Sequence, residues 1–221
     1  MLERKKRYLQ LAFNDDLAQV RRLLPLIPRN ERILIEAGTP FIKTEGMKGV
    51  REIAGLWGGT VVADLKTGDG ARREVDLARE AGAEAVTALG SAPPETINLF
   101  VERCSELKMI AMIDMLGVGE PLKVLMKLRR TPDVVILHKG RDEESTQGKI
   151  IPYRHINKIR SKYDVIISAA GGIDIKGARS AVFNGANIVV ANIVSPHDPW
   201  TGISAESDVR SIAEQFLKTI E

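Results

Sequence analysis

The stretch VVADLKTGD, residues 61–69, joins a short apolar run to three charged side chains, Asp64, Lys66 and Asp69. A short apolar run rich in β-branched residues is typical of a buried strand. Charged side chains at the end of such a strand form either a solvated strand end or a catalytic cluster. A catalytic cluster needs partners from other strands, so the rest of the sequence decides between the two.

Similar apolar runs recur along the 221 residues, and amphipathic segments separate them. Alternating strands and helices predict right-handed βαβ crossovers and a parallel sheet. A doubly wound open sheet uses the same alternation, but eight regular units favour a single closed (β/α)8 TIM barrel. The turn-rich stretch 195–204 predicts a loop before the last helix. The predicted strands are 8–13, 33–37, 60–65, 84–89, 109–115, 133–138, 164–169 and 187–192.

Length and composition indicate one globular domain over residues 1–221. Hydrophobic residues make up 44% and charged residues 28%, which allows a substantial core. The net charge of +3 comes from scattered Lys and Arg, so we expect a solvated face and no nucleic-acid partner. No segment approaches the roughly 18 apolar residues of a membrane span, so we expect a cytoplasmic protein. The single cysteine, Cys104, excludes an internal disulfide and is expected at an ordinary helical position.

In a TIM barrel the chemistry lies at the C-terminal ends of the strands and in the loops that follow them. A polar residue at a single strand end is weak evidence for a functional site, because the chain leaves the apolar core there. Here nearly every predicted strand brings a polar residue or a glycine to the same rim. The set consists of Asn14, Glu36, Asp64, Lys66, Asp114, His138, Gly171, Gly172, Ala191 and Asn192.

The charged members of this rim suit proton transfer and cation binding. Lys66 follows Asp64 by two residues, so on a regular strand both side chains point into the barrel mouth. A lysine between carboxylates stays protonated, and it can stabilise an oxyanion or deliver a proton. Glu36 and Asp64, on neighbouring strands, suit a hard cation such as Mg²⁺, which could hold an enediolate by two oxygens. His138 can act as a general acid or base near neutral pH.

The stretch AAGGID, residues 169–174, supplies backbone N–H groups without side-chain bulk and leads into a helix. Such a turn is a natural cradle for phosphate. Together with the end of the eighth strand, it matches the place where barrels often bind phosphate. We therefore expect Gly171, Gly172, Ala191 and Asn192 to bind the substrate there.

Six blocks, in order along the chain, resemble the orotidine monophosphate decarboxylase suprafamily, and within it the 3-hexulose-6-phosphate synthase group. The resemblance implies a (β/α)8 homodimer with active sites at the dimer interface, where Asp69 enters the partner's site. It also implies Mg²⁺ near Glu36 and Asp64, with His138 as the acid/base residue and Lys66 as the central lysine. The implied substrates are formaldehyde and ribulose 5-phosphate, whose enediolate adds to the formaldehyde. The blocks are IEAGTPFIKTEGM (35–47), VVADLKTGD (61–69), VTALGSAPPETI (86–97), DMLGV (114–118), HKGRDEESTQGK (138–149) and AAGGID (169–174).

Within this group the resemblance is mixed. Asp114 and Ala170 look like the synthase. Arg141 instead resembles 3-keto-L-gulonate-6-phosphate decarboxylase, which shares the metal and the enediolate but releases CO2. Glu36 argues against the orotidine decarboxylase branch, which is metal-independent and has a lysine at that place. We expect a synthase, and the decarboxylase remains the alternative.

Two strand ends depart from the family pattern. The first strand usually ends in aspartate, whereas this chain has Asn14. The last strand usually ends in Gly-Arg, with the arginine holding phosphate, whereas this chain has Ala191 and Asn192. Asparagine donates a hydrogen bond but cannot supply a bidentate cationic clamp. A further alternative is therefore a divergent barrel that binds a phosphorylated sugar with little or no turnover.

Overall fold

The structure is a computed structural model, and it describes residues 2–144 and 150–221. Within these residues, eight parallel strands pair in chain order, and β8 (Ile188–Val194) pairs back with β1 (Tyr8–Phe13) to close a barrel. The predicted (β/α)8 fold is confirmed. The other barrel strands are β2 (Ile33–Ala37), β3 (Val61–Thr67), β4 (Ala85–Leu89), β5 (Ile110–Asp114), β6 (Val134–His138) and β7 (Ile166–Ala170).

Helices connect the strands on the outside of the barrel. Several begin at an aspartate that caps free N–H groups, as Asp16 does for Gln19 at 2.8 Å. None of the helices in the described residues has the length and apolar composition to cross a bilayer. The α-helices of the described residues are α1 (Leu17–Leu23), α2 (Thr39–Trp57), α3 (Ala71–Glu80), α4 (Pro94–Glu106), α5 (Pro121–Leu125), α6 (Arg141–Glu144), α7 (Ile156–Arg160), α8 (Ile175–Phe183) and α9 (Val209–Thr219).

The segment 195–204, predicted as a loop, ends in a short additional strand. This strand, β9 (Ile203–Ser204), pairs with Ile193 and Val194 at the end of β8. Gly202 precedes it and lies so close to β8 that a Cβ atom would collide with the carbonyl oxygen of Asn192. The glycine therefore allows the chain to return to β8.

Side chains along each strand alternate between two apolar layers. On β1, Leu9 and Leu11 belong to the layer between strands and helices, whereas Tyr8 and Ala12 point into the barrel. All eight barrel strands contribute apolar side chains to the barrel interior. Polar residues take over the inward positions near the C-terminal ends of most strands, so an apolar core supports a polar mouth.

Cys104 is buried in α4, as expected of an ordinary helical position. Burial raises the pKa of its thiol, and the negative charge of Asp133 adds to this effect. Cys104 is therefore a neutral core residue.

Candidate active site

A cavity of about 450 Å³ opens at the C-terminal end of the barrel. All eight barrel strands, or the loops directly after them, contribute to its wall. A cavity of about 530 Å³ lies at the opposite end, but it contains none of the predicted rim residues. The chemistry-bearing residues in the wall of the first cavity include Gln10, Asn14, Glu36, Thr39, Asp64, Lys66, Thr87, Asp114, His138, Arg141, Gly171 and Asn192.

Lys66 lies between two carboxylates in this cavity. Its Nζ atom is 2.5 Å from Oδ2 of Asp64 and 3.2 Å from Oδ2 of Asp114. Burial alone would lower the pKa of Lys66, but the charges of Asp64, Asp114 and Glu36 outweigh burial and raise it. Lys66 is therefore an ammonium group at every pH near neutrality.

The backbone of Lys66 is irregular. Its φ of 48° lies in the left-handed region, and the pairing of β3 with β4 shifts register between Ala63 and Thr67. Lys66 and Asp64 both face the cavity, but through this irregularity and not through the regular strand alternation that we expected. Thr87 compensates for the lost strand pairing, because its Oγ1 accepts the N–H of Lys66 at 2.9 Å.

Two threonine hydroxyls hold the carboxylate of Asp64. Thr87 Oγ1 lies 2.8 Å from Oδ1, and Thr39 Oγ1 lies 2.8 Å from Oδ2. Our predicted site did not include either threonine. Thr87 left a signal in the sequence, since it interrupts the apolar run EAVTAL. Nothing in the sequence marked Thr39 as a site residue, because a threonine at the start of a helix is common.

His138 and Lys66 share the carboxylate of Asp114. Nδ1 of His138 lies 2.8 Å from Oδ2 of Asp114, and the N–H of Leu116 donates to Oδ1 at 3.0 Å. Burial alone would raise the pKa of Asp114, but His138 and Lys66 outweigh it and lower that pKa. Burial alone would lower the pKa of His138, but Asp114 outweighs it and raises that pKa. Nδ1 is thus engaged, and Nε2 is the nitrogen that can exchange a proton with a bound molecule.

Glu36 is buried beside Asp64. Burial, followed by the negative charge of Asp64, raises the pKa of Glu36 from its ordinary 4.5 to about 7. Nε2 of Gln10 donates to Oε2 of Glu36, whereas Oε1 of Gln10 is buried without a partner. We had not predicted Gln10, although a glutamine within the apolar run YLQLAF was a visible signal.

The oxygens of Glu36, Asp64 and Gln10 form a donor set that fits a hard cation. Mg²⁺ in proteins commonly binds one or two carboxylates and keeps its remaining sites for water and substrate oxygens. Burial and, after it, repulsion by Asp64 raise the pKa of Glu36, and a bound cation would offset both effects. Gln10 offers an unpartnered oxygen. In the described ranges, no three His, Cys, Asp or Glu side chains are grouped as in an all-protein metal centre.

The turn after β7 contributes Gly171 to the cavity wall. The φ of Gly171 is 114°, and a Cβ atom there would collide with the carbonyl oxygen of Lys139. Only glycine fits this position. Gly172 is not part of the wall, and the carboxylate of Asp174 already accepts the N–H of Gly177 at the start of α8. Of the predicted phosphate cradle, the Gly171 turn lines the cavity, and phosphate binding there remains a prediction.

Alternation along β8 separates Ala191 from Asn192. The side chain of Ala191 is fully buried between strands and helices and does not face the cavity, and the expected binding of substrate at Ala191 remains a prediction. Asn192 faces the cavity, where its Oδ1 accepts a hydrogen bond from Nδ2 of Asn14 at 3.2 Å. The two asparagines among the residues that depart from the family pattern thus contact each other.

Arg141 and Asp69 lie at the margins of the site. The guanidinium carbon of Arg141 is 4.2 Å from the centre of the Trp200 ring, and Arg141 lines the cavity. Trp200 did not figure among the predicted site residues. Asp69 is exposed in the loop after β3 and does not line this cavity. Its expected role in a partner's site remains a prediction.

Comparison with known sequences places the chain in a family. The model of the orotidine 5'-phosphate decarboxylase / HUMPS family matches residues 8–192. The "Bifunctional enzyme Fae/Hps" of Methanothrix thermoacetophila is 38% identical over 216 residues, which cover 97% of this chain and 53% of that protein. The chain therefore spans about half the length of this curated relative.

Solved structures share the fold at lower identity. The 3-hexulose-6-phosphate synthase of Salmonella typhimurium has a TM-score of 0.82 at 24% identity, over 96% of this chain and 98% of that one. The 3-keto-L-gulonate-6-phosphate decarboxylase of Vibrio cholerae has a TM-score of 0.71 at 22% identity, over 98% of each chain. These similarities establish the fold and do not separate the two activities. Because the family model matches well over half of the residues of this chain, the chain belongs to the orotidine 5'-phosphate decarboxylase / HUMPS family.

Proposed function

We propose that the protein is an aldehyde-lyase of the 3-hexulose-6-phosphate synthase type, which joins formaldehyde to ribulose 5-phosphate. The observation that carries the proposal is the carboxylate of Asp114, shared by Lys66 and His138 beside the pair Glu36 and Asp64. A proton-transfer group and a fixed positive charge therefore meet in one cavity. The name Fae/Hps of the sequence relative supports the same reaction class.

In the proposed reaction, Nε2 of His138 removes a proton from the carbon next to the ketone of ribulose 5-phosphate. Asp114 stabilises the imidazolium that results, because it already holds Nδ1. Negative charge develops on the enediolate oxygens, where the Lys66 ammonium stabilises it. The carbon then attacks formaldehyde to form the new carbon–carbon bond. The imidazolium returns its proton to the former formaldehyde oxygen, so that atoms and charge balance.

We propose Mg²⁺ as the cofactor, held by Glu36 and Asp64 with the amide oxygen of Gln10 beside them. When bound, the ion supplies positive charge against substrate oxygens that become negative. The support for this choice is chemical: two buried carboxylates on adjacent strands repel each other, and this repulsion contributes to the raised pKa of Glu36.

The reaction is tested by incubating the protein with ribulose 5-phosphate, formaldehyde and Mg²⁺. Formaldehyde and ribulose 5-phosphate should disappear in equal amounts, and a chelator should stop the reaction. Unphosphorylated ribulose serves as the substrate control. Unchanged formaldehyde under all of these conditions would refute the proposed reaction.

The decarboxylase is the second candidate, and Arg141 in the cavity wall is the observation that favours it. Release of CO2 from 3-keto-L-gulonate 6-phosphate, without consumption of formaldehyde, would replace the synthase by the decarboxylase. Binding of ribulose 5-phosphate with neither reaction would indicate a barrel without turnover, the alternative motivated by Asn14 and Asn192.

We further propose that two copies share their active sites, with Asp69 of each copy entering the cavity of the other. Asp69 is exposed and lies outside the cavity of its own chain, which agrees with this arrangement. Lys66→Ala and Asp69→Ala should each be inactive alone. A hybrid dimer of the two variants, isolated with two different tags, should recover about half of the wild-type activity, because one of its two sites is intact.

Glu80→Ala, at an exposed carboxylate in the last turn of α3, is the control for this experiment. It should be fully active alone. Isolated hybrid dimers without activity would contradict the shared site, as would an Asp69→Ala variant that keeps wild-type kcat.

A further inference from the structure

A cation in the cavity would complement the negative charge of a phosphorylated substrate, and this chain lacks one at the expected place. Of the described residues in the cavity wall, Lys66 and Arg141 carry permanent positive charge. Lys66 already lies against Asp64 and Asp114. At the end of β8, where the family resemblance implies an arginine that holds phosphate, Asn192 supplies only a neutral amide.

Trp200 fixes the position of Arg141. The guanidinium carbon lies 4.2 Å from the ring centre, which is the geometry of a cation–π contact. Arg141 begins α6 after β6, whereas Trp200 belongs to the loop after β8. Since β7 lies between β6 and β8 in the barrel, the contact joins two loops on either side of the Gly171 turn.

Trp200 itself is held close to β8. Gly202, two residues later, packs directly against the carbonyl of Asn192. Two residues of extended chain span at most about 7 Å, so the indole and the guanidinium stay near the end of β8. Glu36 and Asp64 stand on β2 and β3, at the other side of the mouth. The proposed Mg²⁺ site and Arg141 thus lie on different sides of the cavity.

We propose that Arg141, held by stacking on Trp200, binds the phosphate group of the substrate in place of an arginine from β8. The proposal rests on the proposed function for the class of ligand, a phosphorylated sugar, and adds the cation that recognises it. The guanidinium can donate two parallel hydrogen bonds to phosphate oxygens. The amide of Asn192 and the N–H of Gly171 add neutral donors. Trp200 is a positioning residue, because it contacts Arg141.

Calorimetric binding of ribulose 5-phosphate, with Mg²⁺ and without formaldehyde, tests the proposal. Arg141→Met should raise Kd roughly ten- to a hundred-fold, the usual range for a lost charged hydrogen bond. Trp200→Leu should raise Kd roughly two- to five-fold, and Trp200→Phe should restore part of the loss. Binding of unphosphorylated D-ribulose should be the same in all of these variants.

Arg29→Met is the matched control. The guanidinium carbon of Arg29 lies 4.6 Å from the centre of the Trp57 ring, and neither residue lines the cavity. It should leave Kd unchanged. Inorganic phosphate, used as a competitor, provides a second measurement, and its inhibition constant should rank the variants in the same order.

Restoring a cation on β8 is the decisive step. Arg141→Met combined with Asn192→Arg should recover most of the lost affinity for ribulose 5-phosphate. An Arg141→Met variant whose Kd stays within about twofold of wild type would overturn the proposal. Equal losses of affinity for ribulose 5-phosphate and D-ribulose would overturn it as well.

The proposal and the proposed function can fail separately. If the protein consumes formaldehyde but Arg141→Met binds normally, only the role of Arg141 is refuted. If Arg141→Met loses phosphate-dependent binding in a protein that does not consume formaldehyde, the role of Arg141 is supported and the reaction is refuted.

Discussion

Lys66→Ala should lower kcat/KM for the condensation of formaldehyde with ribulose 5-phosphate by about a thousand-fold or more. The substitution removes the ammonium that faces the developing oxyanion in the proposed reaction, and it leaves the buried carboxylates of Asp64 and Asp114 without their shared cation. Most of the loss should appear in kcat, because the negative charge develops in the transition state. Steady-state consumption of formaldehyde measures the effect.

Lys108→Ala is a matched control for this substitution. Within the described part of the chain, Lys66 and Lys108 are the two non-glycine residues with positive φ, at 48° and 55°. Lys108 lies between α4 and β5, at the opposite end of the barrel, so its replacement makes the same side-chain change away from the site. Its activity should equal that of wild type. A Lys66→Ala variant within tenfold of wild type would contradict the central role of Lys66.

Glu36→Gln should remove the proposed Mg²⁺-dependent activity and make the metal-free protein more stable at pH 8. The pKa of Glu36 is raised from 4.5 to about 7 in the folded state, so between these values the unfolded chain loses its proton first. The contribution of Glu36 to stability therefore falls as pH rises to about 7 and stays low above it. Glutamine does not ionise, and its amide can donate to the unpartnered Oε1 of Gln10. The expected gain at pH 8 is roughly 2–4 kcal/mol.

Urea denaturation in a chelator, at pH 5 and pH 8, measures this gain. The difference in unfolding free energy between Glu36→Gln and wild type should be larger at pH 8. Glu80→Gln, an exposed carboxylate on α3, should show no such difference. A Glu36→Gln variant that is less stable than wild type at pH 8 would show that the buried carboxylate does not destabilise the fold.

Much of the site could be predicted because the barrel itself brings strand ends together. Glu36, Asp64, Asp114 and His138 each stand at or near the end of an apolar run, so the topology alone assembles them. The alternation of side chains along each strand carries further information about the site. Gln10 and Thr87 occupy inward positions within apolar runs, and the same alternation turns Ala191 away from the mouth.

Other features depend on contacts that no local pattern encodes. The hydrogen bond between Asn14 and Asn192 and the stacking of Arg141 on Trp200 each join residues from distant parts of the chain. The pairing of β1 with β8 brings Asn14 and Asn192 together, whereas loop conformation decides the contact of Arg141 with Trp200. The left-handed backbone of Lys66 could not be predicted from the sequence either, because the residues of β3 favour an ordinary strand.

The left-handed backbone at Lys66 has a consequence for the history of this family. A lysine in that conformation costs about 1–2 kcal/mol that a glycine would not. The ion pairs of Lys66 with the buried carboxylates of Asp64 and Asp114 oppose this cost, because a glycine alone would leave both carboxylates without a cation. A lineage that stopped using the site could therefore gain stability only by losing the lysine together with these carboxylates. The three positions should then change together or not at all.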